Sequence, residues 1–422
     1  MRNLAVAILS IILAAGSVGQ ISPQFLYSIP LDGSSHGLHM WGPTPGAEGL
    51  GPGFIAANSR GDLLIADPDP PRSDRLKLFD RTGFLVRTLE QPPGVDDTMV
   101  FGLALCNDRS SYVLEGTNDG MCDWYSPEGT LGWRKVIRGC SAQSRPGDPW
   151  RARSDNALIA GFWSEADSPV VVRPTGNLEW LNHNGIAGPD PHGPALMPIK
   201  GELGAFIVQD QYGASRRIDL QEVPAPFNPR FAQTHLHPRG FITRTHAVPA
   251  KVQSVLKAGN LLNLDMITVR YSPTGKVLAT LRWPAPPIAA SNSAYAFDPD
   301  GNLYCLVYDW HRVHVVRFAL SEVDEGFVAV RLVPSLTIDG RRYTPLVESA
   351  EATARMAVWN AKSKTAKVGT RTLVAGQNLR IVRGAPWISK VGAERLGLNL
   401  DWHPKGFYAY VSRWKRTAPW FR

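Results

Sequence analysis

Three histidines that stand close together in the sequence are the candidates for a metal site. His235 and His237 are separated by one residue, so alternation along a strand would place both side chains on one face, and His246 follows shortly after them. Imidazole groups arranged in this way bind zinc or a similar ion if a third ligand converges on them. Because His-x-His is a common pattern and Pro238 follows at once, the sequence favours loop or surface histidines over a metal site.

Carboxylates distributed along the chain are the other candidates for chemistry: Asp67, Glu115, Asp210 and Asp309. The sequence does not indicate which of them converge, and Asp67 and Asp309 could equally cap turns. It contains no P-loop, no H-E-x-x-H and no C-x-x-C motif. The sequence therefore names no catalytic residue, and we expect no resident cofactor.

A recurring turn motif predicts the elements that would position these residues. Each copy places a glycine between two β-rich stretches, at Gly83, Gly129, Gly176, Gly275 and, in a degenerate copy, Gly326. The glycines are 46, 47, 99 and 51 residues apart, and 99 corresponds to two periods with one motif lost near residue 225. Each copy is typical of a hairpin whose turn needs a glycine at positive φ, and a second hairpin precedes it in the better copies. Six units of about 48 residues with four strands each predict a six-bladed β-propeller.

The motifs in residues 271–275 and 298–304 resemble those of NHL-repeat and gluconolactonase-type six-bladed propellers. The resemblance implies a fold rather than a function. Residues 181–257 depart most from the pattern, so the count could be seven with one degenerate blade. The apolar stretch at residues 25–30 is expected to pair into the last blade and close the ring. Gluconolactonase-type enzymes use Glu, Asn and Asp side chains around a calcium in the channel, which implies an alternative function as a propeller hydrolase with a divalent metal.

A second, shorter repeat occupies the C-terminal quarter. At an offset of 43, residues 336–368 align without a gap on residues 379–411. The identical pairs include Leu336 and Leu379, Ile338 and Ile381, Ala350 and Ala393, Glu351 and Glu394, Trp359 and Trp402, Ala366 and Ala409, and Val368 and Val411. Each unit is predicted to contain a strand, a tight turn, a short helix and two strands, which gives a small α+β domain at residues 335–412.

This repeat, through residues 338–346 and 393–402, resembles the stalk domain at the N-terminus of copper amine oxidases. In those enzymes copper lies in a separate catalytic domain, so we expect neither copper nor amine oxidase activity here. Trp359 and Trp402 are expected to be core residues rather than ligand-stacking surfaces. Glu351 and Glu394 are expected to be polar-face or capping groups rather than an acid/base pair.

Positive charge is concentrated at the C-terminal end. Residues 335–422 contain 16 basic and 5 acidic residues, a net charge of +11 in a chain that totals +8, so the preceding residues carry −3. The tail at 413–422 alternates basic and aromatic residues, and Arg413, Lys415, Arg416 and Arg422 are its candidate attachment residues. Such a segment favours acidic wall polymers, polysaccharides or another surface protein over nucleic acid. Alternatively, the tail aromatics dock on the domain itself.

The N-terminus has the pattern of an export signal. A short basic start at residues 1–3 precedes an apolar run at residues 4–15 and small residues at 17–19. We expect cleavage near Gln20, with an uncleaved anchor as the alternative. The run is too short to span a bilayer, and no transmembrane span is expected in the mature chain.

Cysteines in an exported chain can be oxidised. Cys106, Cys122 and Cys140 fall within 35 residues, whereas Cys305 stands alone in an apolar run. We predict a Cys122–Cys140 disulfide, with Cys106 and Cys305 as small buried residues. The spacings match no zinc signature.

The sequence thus predicts a mainly β chain with a signal peptide at 1–19, a propeller at 20–334, an α+β domain at 335–412 and a basic aromatic tail at 413–422. The two repeat periods meet at residues 333–334, which predicts two separate folding units. The preferred function is a secreted or cell-surface, non-catalytic binding protein. Its propeller would be a ligand platform, and its basic module would contact the wall or a partner.

Overall fold

The computed structural model describes most of the chain from residue 23 to residue 413. The described residues are 23–39, 52, 54–69, 72–89, 100–115, 121–137, 151–152, 156–160, 170–180, 195–199, 202, 204–209, 214–221, 233–237, 239–249, 264–284, 294–308, 311–320, 328–333, 335–353, 355–382, 384–402 and 408–413. The predicted signal peptide at 1–19 lies outside them, and its cleavage stays a prediction. No helix within these ranges is long and apolar enough to cross a membrane.

Strand β1 (Gln24–Pro30) is followed along the chain by three regular four-stranded blades. Blade one contains β2 (Ile55–Ala57), β3 (Leu63–Asp69), β4 (Arg72–Phe79) and β5 (Leu85–Leu89). Blade two contains β6 (Val100–Leu105), β7 (Ser111–Glu115), β8 (Met121–Tyr125) and β9 (Leu131–Val136). Blade three contains β10 (Arg151–Ala152), β11 (Leu158–Ala160), β12 (Val170–Val172) and β13 (Leu178–Trp180). Consecutive strands within each blade pair antiparallel, as the predicted pairs of hairpins require.

Blade four is the irregular one. Its described strands are β14 (Ala195–Pro198), β15 (Ala205–Gln209) and β16 (Ser215–Asp219). Residues 222–232, where the turn motif is missing from the sequence, lie outside the described ranges. Blade five follows with β17 (Gln233–Leu236), β18 (Ile242–Pro249), β19 (Leu264–Tyr271) and β20 (Val277–Pro284).

Blade six closes the ring. It contains β21 (Tyr295–Phe297), β22 (Leu303–Tyr308) and β23 (Arg312–Phe318), and β1 pairs antiparallel with β23 as its fourth strand. The predicted closure by the strand at residues 25–30 is therefore confirmed. The first strands of neighbouring blades also contact one another, β21 with β2, β2 with β6, and β6 with β10. The six blades in the described chain match the six predicted repeat units.

The motif glycines adopt the left-handed conformation that the sequence predicts. Gly83, Gly129, Gly176 and Gly275 have φ values of 86°, 90°, 80° and 81°. Each also lies against the outer strand of the preceding blade, where a Cβ atom would meet a side chain or backbone atom at less than 3.0 Å. At Gly275 the atom that a Cβ would overlap is the carbonyl oxygen of Asp219. The repeated glycine is thus required both by the hairpin turn and by the contact between blades.

Apolar cores lie between neighbouring blades. Trp283 of blade five packs with Leu303 and Phe318 of blade six, in a cluster that also contains Cys305. Cys106 and Cys122 belong to a corresponding cluster between blades two and three. Cys106, Cys122 and Cys305 are buried thiols, so Cys106 and Cys305 are placed as predicted. The predicted Cys122–Cys140 disulfide is wrong for Cys122, because its side chain is a packed thiol, and Cys140 lies outside the described residues.

The C-terminal unit contains the two predicted repeats. After β24 (Val328–Val333), the first contains β25 (Leu336–Ile338), β26 (Arg341–Pro345), α1 (Leu346–Ala352), β27 (Ala357–Asn360) and β28 (Thr365–Val368). After β29 (Arg371–Val374), the second contains β30 (Leu379–Val382), β31 (Ala385–Ser389), α2 (Lys390–Arg395), β32 (Asp401–Trp402) and β33 (Tyr408–Arg413). The repeats join where β26 pairs with β31. Trp359 and Trp402 are half-buried and pack against the core of this unit, which matches their predicted role.

The propeller and the C-terminal unit share one sheet. β24 pairs parallel with β20 of blade five and antiparallel with β33, so the sheet runs β17-β18-β19-β20-β24-β33-β32. A fragment that begins at residue 335 would lose β24, the strand that joins β33 to blade five. This argues against the prediction that residues from 335 onward fold as a separate unit, since backbone pairing across the proposed boundary is continuous.

Candidate functional site

The three candidate histidines do not converge. His235 lies opposite Thr243 in the β17–β18 pair, whereas His246 is three positions further along β18 and therefore faces the other side of the sheet. His235 stacks on Phe297 of blade six, with 4.9 Å between the ring centres. His237 lies beside it, and both side chains approach Gly301. The expected common face for His235 and His237 is confirmed, but His246 is excluded from it.

These histidines are also buried, which corrects the expectation of surface side chains, although His237 does lie in the loop between β17 and β18. His235 is 4% exposed, His237 7% and His246 0%. Burial, reinforced by Arg270 and Arg239, lowers the pKa of His237 to about 4. Burial, with a contribution from Arg244, lowers the pKa of His246 to about 3. Neutral imidazole is the form that binds metals, but within the described ranges no three His, Cys, Asp or Glu side chains are grouped to hold an ion.

A buried charge cluster in blade one involves one of the predicted carboxylates. Asp67, which is fully buried within β3, lies 2.8 Å from Nζ of Lys77 on β4. Its other contacts come from His39, whose Nδ1 lies 2.9 Å from Oδ2 and whose backbone N–H donates to Oδ1 at 2.6 Å. Lys77 also donates to the carbonyl oxygens of Gly37 at 2.6 Å and Ser34 at 3.4 Å.

This blade-one cluster fastens the segment that follows the closing strand. Residues 31–39 leave β1 and cross to blade one, where Lys77 and Asp67 bind their backbone. Lys77 is 1% exposed, and all three of its N–H donors have acceptors within the protein. The arrangement is suited to anchoring a segment rather than to chemistry. The side chains of Glu115, Asp210 and Asp309 lie outside the described part of the chain.

Residues 33–37 match a further motif, Gly-x-Ser-x-Gly, in which Ser35 would be a nucleophile. The motif requires a sharp turn between a strand and a helix, which presents the serine hydroxyl beside an oxyanion hole. Here residues 33–37 form a turn after β1 in which Ser35 is exposed and Gly37 is buried, and the Ser35 hydroxyl is 3.0 Å from Nδ1 of its neighbour His36. The spacing is therefore present without the geometry that makes such a serine reactive.

A second charge cluster lies where blade five meets the C-terminal unit. Nη2 of Arg282 on β20 lies 2.7 Å from Oδ2 of Asp265 on β19. Nη1 of Arg331 on β24 lies 3.0 Å from Oε2 of Glu351 on α1. Arg282 and Arg331 are opposite each other in the parallel pair, and both are less than 5% exposed. Glu348, one turn before Glu351 on α1, interacts electrostatically with all four of these side chains.

This junction cluster contains three carboxyl groups and two guanidinium groups. Burial, together with the nearby Asp265 and Glu351, raises the pKa of Glu348 to about 7 even though Arg331 and Arg282 oppose the shift. Protonating Glu348 brings the charge of the cluster to zero. The two glutamates aligned by the C-terminal repeat also differ, since Glu351 takes part in this junction and Glu394 is exposed on α2.

Replacing Glu348 with glutamine should stabilise the protein at high pH. The folded state holds the Glu348 proton more tightly than the unfolded state does, so its stabilising effect is complete below about pH 4.5 and is lost as pH rises through about 7. Glutamine stays neutral, so Glu348→Gln should raise the free energy of unfolding at pH 8 by up to roughly 3 kcal/mol and change it little at pH 5. Urea unfolding at both pH values measures this, with exposed Glu394→Gln as control. A Glu348→Gln effect independent of pH would contradict the prediction.

The surface of the C-terminal unit is basic. Its exposed cationic side chains in the described residues are Arg341, Arg342, Arg355, Lys362, Lys364, Lys367, Arg371, Arg380, Lys390 and Arg395. Few carboxylates offset them, since Glu348 and Glu351 belong to the junction cluster and Asp339 pairs with Arg380 at 3.2 Å. The charge excess seen in the sequence is therefore displayed to solvent.

The candidate attachment residues of the tail are only partly described. Arg413 ends β33, with its backbone paired to that of Val328. Lys415, Arg416 and Arg422 lie outside the described residues. The main evidence for a basic surface is therefore the set of described cations between β26 and α2, which sequence analysis did not single out.

No family model matches the sequence, and no curated protein matches it. Similar solved structures include a member of the DUF4221 family from Bacteroides vulgatus, which is 10% identical, covers 72% of this chain and 99% of that chain, and has a TM-score of 0.40. The β-propeller domain of Cps50 (Swd1) from Myceliophteria thermophila is 10% identical over 70% of this chain and 99% of its own, with a TM-score of 0.35. BamB from Moraxella catarrhalis is 11% identical, covers 77% of this chain and 94% of its own, and has a TM-score of 0.28. The propeller assignment rests on the six sheets and the closing strand.

Proposed function

We propose that this chain is an exported, non-catalytic binding protein that attaches to acidic polymers through its C-terminal unit. The observation that carries the proposal is the separation of charge, +11 on residues 335–422 against −3 on the rest, with ten exposed cations in the described part of that unit. The propeller is its ligand platform. The acidic partner is a wall polymer, a polysaccharide or the acidic surface of another protein, and export follows from the signal-like residues 1–19.

The buried clusters support a structural role for the polar groups of the propeller. Asp67 and Lys77 hold the segment after the closing strand, and the junction cluster fixes the C-terminal unit to blade five. Attachment through one end of the molecule then fixes the position of the whole ring. The stalk-like resemblance of the C-terminal repeat agrees with this arrangement. The alternative, a lactonase-type hydrolase with a divalent metal in the channel, rests on sequence resemblance alone.

Binding of the mature protein to an acidic polysaccharide such as polygalacturonate should weaken steeply with salt. Exposed charges are screened within a Debye length of about 8 Å at physiological ionic strength, so we expect at least a roughly tenfold loss of affinity between low salt and 0.5 M NaCl. Removing residues 414–422 should weaken binding further, because it deletes Lys415, Arg416 and Arg422 while leaving β33 intact. Isothermal titration calorimetry measures both effects. Binding that ignores salt would indicate a specific propeller ligand instead.

A further inference from the structure

Two arginines of the C-terminal unit converge on one glycine. Arg355 lies between α1 and β27, and Arg371 begins β29. The point where a Cβ on Gly397 would lie is 2.7 Å from Nη1 of Arg371 and 3.0 Å from Nη1 of Arg355. The two nitrogens are therefore no more than about 5.7 Å apart, the sum of those distances. Gly397 itself follows α2 with a φ of 73°, a conformation that suits glycine at the end of a helix.

These two side chains carry like charges without a carboxylate to offset them in the described chain. Arg371 donates from Nη1 to the carbonyl oxygen of Glu394 at 3.4 Å, which is a long hydrogen bond. Neither arginine takes part in the ion pairs formed between described residues. Both are exposed, so the pair is open to a ligand from solvent. An anion between the two guanidinium groups would offset the repulsion between their charges.

An oxyanion between the two guanidinium groups would satisfy them together. Each guanidinium offers parallel N–H donors that match two oxygens of a carboxylate, sulfate or phosphate group. Because Gly397 has no side chain, both guanidinium groups can lie close to its backbone and to each other. Arg355 has no arginine counterpart in the aligned repeat, where Leu398 stands at the offset of 43, and Arg371 follows the aligned residues 336–368. The pair is thus an individual feature and not a consequence of the repeated fold.

We propose that Arg355 and Arg371 form a binding site for one oxyanion group of an acidic polymer, seated over Gly397. The proposal rests on the proposed function, because it identifies where on the basic unit the polymer is held. Arginines near the last carbonyl groups of a helix also stabilise that helix. A purely structural role at the end of α2 is therefore the competing explanation, and the experiment must separate the two.

The test compares two double variants of the mature full-length chain that remove the same charge. The test variant combines Arg355→Gln with Arg371→Gln and removes the proposed site. The control variant combines Arg341→Gln with Lys390→Gln and removes two exposed charges elsewhere on the C-terminal unit. Affinity for polygalacturonate, a carboxylate polymer, and for dextran sulfate is measured by calorimetry at fixed salt. We expect the first variant to lose roughly tenfold in affinity for at least one polymer, and the control about twofold, because charge-assisted bidentate contacts are stronger than general attraction.

Further measurements distinguish the possible failures. Arg355→Lys with Arg371→Lys keeps the charge but loses the guanidinium geometry, so it should also bind several-fold more weakly. If both glutamine variants lose affinity equally, the site is wrong and the general basic surface stands. If neither loses affinity, the proposed function is wrong as well. If Arg355→Gln with Arg371→Gln lowers the urea midpoint and leaves affinity unchanged, the arginines have the structural role only.

Discussion

Replacing Lys77 with methionine should destabilise the protein by roughly 3–5 kcal/mol, the usual result of removing one partner from a buried ion pair. The substitution would leave Asp67 fully buried with His39 but without its ammonium partner, and it would remove the donor to the carbonyl oxygen of Gly37. Because those hydrogen bonds hold the segment after β1, the loss of local stability should be greatest at β1, the closing strand. Urea unfolding measures the change in the free energy of unfolding, and hydrogen exchange at residues 24–39 shows whether the protein is destabilised at the closing strand.

A double variant is the control for this prediction. Lys77→Met combined with Asp67→Asn removes both charges, and the amide oxygen of asparagine can still accept the backbone N–H of His39. The double variant should therefore recover part of the stability lost in Lys77→Met, since no charge is left buried without a partner. A Lys77→Met cost below about 1 kcal/mol would show that the blade-one cluster does not hold the segment.

Substitution of Gly275 by alanine should be the most damaging of the turn substitutions, at roughly 2–4 kcal/mol. The left-handed φ of 81° by itself costs a non-glycine residue about 1–2 kcal/mol. The new methyl group would also overlap the carbonyl oxygen of Asp219, which is backbone and cannot rotate away. The same turn accepts a backbone hydrogen bond from Gln221 at 2.8 Å, so any shift of the hairpin disturbs the contact between blades four and five.

Gly240 provides a matched comparison for Gly275. Its φ of 84° is nearly the same, but the nearest atom to an added Cβ is 3.6 Å away, an ordinary contact. Gly240→Ala should therefore cost only the conformational strain, about 1–2 kcal/mol. The difference between the two alanine variants, measured by urea unfolding, is the contribution of the contact between blades. Equal costs would contradict the role assigned to Gly275.

Sequence patterns predicted the propeller because its signals are local. A glycine between two β-rich stretches specifies a hairpin at that place, and repetition of Gly83, Gly129 and Gly176 at nearly equal spacing specifies the blade. The closing strand was predictable for a related reason, since an apolar strand ahead of the first unit has only the last blade to complete. Blade four carries no such signal, so the sequence alone allows either six or seven blades.

The polar clusters depend on contacts between residues far apart in the chain. Glu351 meets Arg331 and lies in one cluster with Asp265 only because β24, which follows blade six in the sequence, pairs beside β20 of blade five. Alternation correctly placed His235 and His237 together, but the face of His246 follows from the register of β18, which the sequence does not specify. Lys77 did have a local signal, a lysine within the apolar run of β4 and close in sequence to Asp67.

The most direct measurement of the central claim compares two triple variants in polygalacturonate binding at low salt. The first variant changes three exposed residues of the C-terminal unit to glutamine: Lys362, Lys364 and Lys367. The second variant changes three exposed residues of the propeller to glutamine: Arg60, Arg81 and Arg216. The account predicts a loss of affinity of roughly three- to tenfold for the first variant and less than about twofold for the second. Equal losses in the two variants, or a greater loss in the propeller variant, would contradict attachment through the C-terminal unit.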